Sequence, residues 1–217
     1  MKTIPQILSA ELNQPEAYIQ NVIALLDEGN TIPFIARYRK EAHGAMDDTA
    51  LRTLETRLQY LRNLQQRRDE VKASIEAQGK LTDELSLAID NAATLAEVED
   101  LYRPYKQKRR TRATVAKEKG LEPLADAIFA QDRNGKAPEE LAKDFLNPDL
   151  GVETIEDALS GASDIIAERI SDDAELRKSL RARMQKSALC ESKAAKEDED
   201  SVYRLYYDFH QPVSKLQ

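Results

Sequence analysis

The eleven residues Tyr102-Arg103-Pro104-Tyr105-Lys106-Gln107-Lys108-Arg109-Arg110-Thr111-Arg112 hold the densest chemistry in the chain. Lysine and arginine neutralise phosphates, and the guanidinium adds a forked pair of hydrogen bonds. Tyr102 and Tyr105 offer rings on which unpaired bases can stack, against the plainer reading of partly buried packing aromatics. Pro104 lacks an amide donor and stops a helix, so a loop or extended segment is expected here. Residues 101–120 carry eight Lys/Arg and one acid, Glu118, a net charge of +7 in a 217-residue chain whose total is −7. The other residues therefore sum to −14. The expected phosphate contacts are Arg103, Lys106, Lys108, Arg109, Arg110 and Arg112. With the last five all on single-stranded phosphates, log affinity should fall against log salt with a slope of about −3.5.

A second, sparser group is Arg37, Arg39 and Lys40, close to His43. Its alternative reading is a solvated helix end, where cations suit the C-terminal dipole. Arg57, Arg62, Arg67 and Arg68 add to this half, and residues 31–68 hold eight basic against four acidic side chains. A rival to nucleic acid stands beside both groups. Leu81–Asp100 contains six acids and no base, and the C-terminal half is acidic as well. The basic segment can therefore pair within the chain, and both readings remain open at this point.

Catalytic chemistry is sparse. The two histidines, His43 and His210, lie far apart and outside any metal-ligand spacing. The single cysteine, Cys190, excludes an internal disulfide and a multi-cysteine zinc site, and reads as structural. No glycine-rich phosphate loop occurs. The densest acidic run, Glu197-Asp198-Glu199-Asp200, reads as solvated linker charge. We expect no enzyme, no metal and no cofactor.

Helices must carry these groups. Ala (28) and Leu (25) far outnumber Val (7), and there are only seven Gly. That composition favours helix over strand, and no alternating run bounded by hairpin turns stands out. Asn13 reads as an N-cap before Pro15 and Glu16, with Ile19, Val22, Ile23 and Leu26 at helical spacing up to Gly29. Thr31 precedes a short helix with Pro33 in its first turn and Phe34 and Ile35 as core candidates. Asp47 or Asp48 starts the longest helix, to about Gln78, with Leu51, Leu54, Leu58, Leu61, Leu64, Val71 and Ile75 as its stripe. Arg68 falls inside that stripe and reads as a snorkelling side chain. Thr94-Leu95-Ala96-Glu97 is a capping box before Val98, Leu101 and Tyr102. Beyond the basic segment, helices are expected around Leu124, from Pro138, from Thr154, and from Asp172 or Asp173. Residues 192–201 read as a charged linker. The Tyr-rich end stops without punctuation, as expected of a piece of something longer.

Two stretches carry more than composition. One is Thr31-Ile32-Pro33-Phe34-Ile35-Ala36-Arg37-Tyr38-Arg39-Lys40-Glu41-Ala42. The other runs from Asp100-Leu101-Tyr102-Arg103-Pro104-Tyr105 through Ala113-Thr114 to Gly120-Leu121-Glu122-Pro123-Leu124-Ala125. Both closely resemble the N-terminal region of the bacterial Tex family of transcription accessory proteins. The Leu51–Ile75 helix and Ala158–Glu168 fit the same pattern, so the resemblance covers essentially the whole chain. It implies a cytoplasmic, nucleic-acid-binding protein related to a eukaryotic transcription elongation factor. It also implies continuation into an RNase H-like domain, helix-hairpin-helix elements and an oligonucleotide-binding barrel of the ribosomal-protein type.

The combined expectation is an all-α, multi-helix array with a helix-turn-helix-like N-terminal part and one long central helix. Its segments are 1–46, the long helix 47–78, a helical body 79–191 and a linker 192–217. Its role is a non-catalytic module contributing RNA or DNA contacts through 101–120. The expected partners are RNA or DNA and the transcription machinery, with no membrane. The alternative is a structural or protein-docking module whose basic segment is paired internally.

Overall fold

The computed structural model describes residues 2–44, 46–132, 135–196 and 201–216. It is predominantly helical: among the described residues there are twelve α-helices and one two-stranded antiparallel sheet. The run Glu197–Asp200 lies outside the described residues. The chain divides into two compact units, Met1–Glu99 and Asp100–Gln217.

In the first unit, α1 (Ile4–Leu12) starts at a capping box. The Thr3 hydroxyl accepts from the Gln6 amide at 3.4 Å, and the Gln6 side chain accepts from the Thr3 amide at 3.2 Å. Asn13 does not open the following helix as its sequence context suggests. It closes α1 in the left-handed conformation (φ 50°), which asparagine tolerates, and Pro15 takes the N-cap of α2 (Glu16–Asp27). Proline with a fixed φ suits that entry, so the two turn residues divide the work.

Next come α3 (Ile32–Tyr38), α4 (Lys40–His43) and α5 (Asp48–Glu76). The Asp47 carboxylate caps α5 by accepting from the Ala50 amide at 2.7 Å. At 29 residues α5 is about 44 Å long. Leu51, Leu54, Leu58, Leu61, Leu64, Val71 and Ile75 are all buried along it, as its spacing requires. The first four of these join Leu8, Ile19, Val22, Ile32, Ile35 and Met46 in one core. α6 (Asp83–Asn91) and α7 (Leu95–Tyr102) follow, and Arg68 has a defined partner there. Its guanidinium donates to the Ala92 carbonyl at 2.7 Å, at the C-terminal end of α6 where carbonyls lack helical donors. It therefore closes a helix end instead of snorkelling to water.

In the second unit, a 3₁₀ turn at Arg103–Tyr105 leads into a loop that ends at α8 (Arg112–Glu118). α9 (Glu122–Phe129), α10 (Pro138–Ala142), α11 (Ile155–Asp172) and α12 (Ala174–Ser187) complete the helices. Their core contains Ala113, Ala116, Leu121, Leu124, Ala158, Ala162 and Ile165. Small residues let α8 and α11 approach closely. A Cβ on Gly161 would stand 3.3 Å from the Ala116 Cβ of α8 and 2.4 Å from Leu121 Cδ1, so any larger residue there would force the buried Leu121 side chain to move. The sheet pairs β1 (Leu189–Lys193) with β2 (Asp208–Pro212), Leu189 opposite Pro212. Ser192 and Lys193, which composition places in a linker, are the last two residues of β1. The strands are separated by a long excursion, β1 is largely exposed and β2 is partly buried, so no tight-turn signal joins them and no strongly alternating apolar pattern marks them.

Candidate nucleic-acid interface

The basic segment lies on the surface of the second unit, between the end of α7 and the start of α8. Proline at 104 and the Thr111 N-cap set its limits: the Thr111 hydroxyl accepts from the Thr114 amide at 3.1 Å and starts α8. Between them the loop crosses α11. On that helix Asp164, Glu168 and Asp172 recur every four residues and therefore share one face.

Three of the segment's eight cations meet that face. Arg103 donates to Asp172 at 2.9 Å, and Lys108 bonds the same carboxylate. Lys108 also stands 3.4 Å from Glu168, which accepts from the Thr111 hydroxyl at 3.1 Å. Asp172 is only 13 % exposed at its side chain, so its pair with the half-buried Lys108 is screened less than its pair with the more exposed Arg103. Arg112 reaches Asp164 at 3.6 Å but is 89 % exposed, a loose contact. Arg110 pairs with Glu118 at 2.7 Å, both well exposed. Lys117 pairs with Glu122, and Lys119 donates to the Gly151 carbonyl. Among the described residues, Lys106 and Arg109 alone of the segment's eight cations have neither an ion pair nor a hydrogen-bonded partner; both are exposed. Lys106 lines a groove of about 530 Å³ whose walls mix Lys108, Lys117 and Arg169 with Glu168 and Asp172. Tyr102 and Tyr105, candidates for stacking rings or for partly buried packing aromatics, are half-buried.

A separate clamp sits beside the segment. Asp100, buried, receives Arg177 at 2.6 Å and Arg181 at 2.5 Å, both from α12. Burial opposes its ionisation, but the Arg181 and Arg177 hydrogen bonds outweigh burial and hold its pKa below the usual carboxylate range.

The sparser cations of the first unit divide differently. Three arginines of α5 are neutralised by forked or shared carboxylates. Arg57 takes Glu11 at 2.7 and 2.8 Å, Arg62 takes Asp27 at the same distances, and Arg67 takes Glu99 at 2.6 Å. Hydrogen bonds from Arg57 and Arg62 hold Glu11 and Asp27 below their usual pKa. Arg37, Arg39 and Lys40 are exposed, and among the described residues none has an ion pair. They surround two exposed rings. Phe34, which reads from sequence as a core candidate, is 37 % exposed, and Tyr38 is 59 % exposed. Burial of Ile32 and Ile35 fixes the inner face of α3 and turns positions 34 and 38 outward. His43, by contrast, is buried.

Among the described residues no group of three or more His, Cys, Asp or Glu is placed to hold a metal ion. Nor is any helix among them long and apolar enough to cross a membrane.

Comparison with known proteins places the chain in a family. Residues 2–76 match a Tex-like protein N-terminal domain, and residues 133–217 match a Tex central region-like model. The chain is 47 % identical over 211 residues to Protein tex of Bordetella pertussis, covering 96 % of this chain and 26 % of that protein. It is 45 % identical over 215 residues to Transcriptional accessory protein Tex of Neisseria gonorrhoeae, covering 98 % and 28 %. It is 31 % identical over 215 residues to human S1 RNA-binding domain-containing protein 1, covering 94 % and 21 %. The chain thus spans under a third of the length of these curated relatives.

Proposed function

The chain belongs to the Tex family, and from that premise we propose that it is a non-catalytic helical module contributing phosphate contacts to RNA or DNA. The observation that carries this reading is a set of exposed cations with no carboxylate partner among the described residues: Lys106 and Arg109 in one unit, and Arg37, Arg39 and Lys40 in the other. An exposed, unpaired cation meets a phosphate without first giving up a protein partner. The name of the human relative, which includes an S1 RNA-binding domain, supports the same direction. A cytoplasmic location and contact with the transcription machinery belong to this proposal.

The test is binding anisotropy of a labelled single strand against salt. Changing Lys106, Arg109 and Arg112 to Gln should flatten the log-log slope by about 2, since each lost single-strand phosphate contact removes about 0.7. Equal affinity and slope in wild type and variant would remove the segment from the interface.

A second reading has its own observation: the ladder of Asp164, Glu168 and Asp172 beneath the loop. In it the segment's function is architectural, tying the loop and α8 to α11. Arg103→Gln with Lys108→Gln should then lower the melting temperature and leave strand affinity unchanged.

A further inference from the structure

The outer face of α3 combines two features found together nowhere else among the described residues. It presents two adjacent exposed aromatic rings, and it presents three cations with no acidic partner. Phe34 and Tyr38 are four residues apart, so they lie on one helical face. Their ring centroids are 5.3 Å apart and their planes are tilted by 46°. The Arg37 guanidinium lies over the Tyr38 ring at 5.9 Å, and that of Arg39 lies over the Phe34 ring at 5.7 Å. Lys40 follows at the start of α4. Glu41, the one acid within residues 37–41, is exposed and bridges none of them.

Rings alone would be ordinary, since scattered exposed aromatics are common. Cations alone would suit any anion. Their combination selects a ligand with both flat apolar faces and regularly spaced negative charge. In a duplex the base faces are hidden in the stack, and only the edges and backbone are offered. In a single strand they are exposed and can settle on aromatic rings or guanidinium planes. An acidic peptide would use the cations and leave the rings idle.

We infer that the outer face of α3 is a stacking site for unpaired bases of single-stranded nucleic acid, with Phe34 and Tyr38 as the platform and Arg37, Arg39 and Lys40 on the neighbouring phosphates. This rests on the proposed nucleic-acid role of the chain and narrows it to a substrate class and a second site, distinct from the 101–120 segment.

The chain contains no tryptophan, so Tyr38→Trp places a single indole at the site. The exposure of Tyr38 makes that replacement structurally mild. The full chain carrying it is titrated with labelled oligo(dT), oligo(U) and a duplex of equal length, reading indole fluorescence and label anisotropy together. The expected result is saturable quenching by the single strands in parallel with the anisotropy, and little quenching by the duplex. Adding Phe34→Ala should raise the single-strand dissociation constant read by the indole about fivefold or more, the scale of one lost stacking contact. Changing Arg37, Arg39 and Lys40 to Gln should flatten the salt slope of that signal by about 2. Single strands that bind by anisotropy without quenching the indole would overturn this site while leaving the nucleic-acid reading in place. Equal quenching by duplex, or by poly-glutamate, would also overturn it, the latter pointing to an acidic protein partner. No anisotropy change with any strand would overturn the broader reading and this inference with it.

Discussion

The two basic regions of this molecule reverse the order that their sequences suggest. Segment 101–120 carries +7, yet five of its cations form ion pairs and a sixth is bound to a carbonyl oxygen. The α3 patch has three cations, and among the described residues none is paired. Charge density along a chain measures what folding has to accommodate. The charge left available to a partner is what remains after the acidic elements have packed. In the second unit α11 brings a ladder of carboxylates against the loop. In the first, Glu11, Asp27 and Glu99 are taken up by α5, and no described acid bridges the α3 cations.

The contrast rests on where the acids go when the chain folds, and removing acids one at a time tests it. The largest effect is expected from Asp100→Ala, because that side chain is only 6 % exposed and two arginines converge on it. Breaking a buried pair costs about 3–5 kcal/mol, and the partial exposure of Arg177 and Arg181 should reduce this to about 2–4. Denaturant unfolding measures it.

Asp172→Asn should be next, at about 1–2 kcal/mol. It frees Arg103 and Lys108, so single-strand affinity should rise severalfold as the second unit loses stability. Unchanged affinity in that variant would mean the released cations are not within reach of a strand.

Smaller still, Glu11→Gln should cost about 0.5 kcal/mol by thermal unfolding, since the Glu11–Arg57 pair is more than a third exposed. The acid response completes the series. Glu11, Asp27 and Asp100 have pKa values below their unfolded ones. Their contribution is complete above about pH 5 and is lost as pH falls through the depressed folded values. Melting temperature should therefore be flat from pH 7 to 5 and fall below 4, with a shallower fall in Asp100→Ala.

Helix periodicity makes the architecture readable. The five buried leucines of α5 follow 3-4 spacing, with Val71 and Ile75 continuing the stripe at wider steps, and the caps at Asp47, Thr154 and Asp173 are polar residues in expected places. α8 is not expected from the sequence, which reads its first residue as part of the basic loop. The family is readable from two long motifs. Asn13 misleads because a residue that suits an N-cap also suits a left-handed C-cap, and only α1 decides between them. β1 and β2 escape a sequence reading because their pairing is non-local and neither strand is deeply buried. The state of the basic segment is not legible at all. Whether Arg103 and Lys108 face water or Asp172 depends on how α11 packs, which is a tertiary fact about a helix some sixty residues away. The outward α3 rings are legible in principle: once Ile32 and Ile35 are assigned inward, positions 34 and 38 must face out.

Under the proposed function, the carboxylate of Asp172 would also act as a competitor tethered inside the molecule. A strand that takes Lys108 must displace it, so strand binding at that lysine and the closure of the loop on α11 are linked functions of one equilibrium. Reciprocity then fixes a relation between two independent measurements. The factor by which Asp172→Asn tightens strand binding cannot exceed the factor by which it weakens the closed loop. Amide exchange in residues 106–111 and strand affinity should move in compensating amounts.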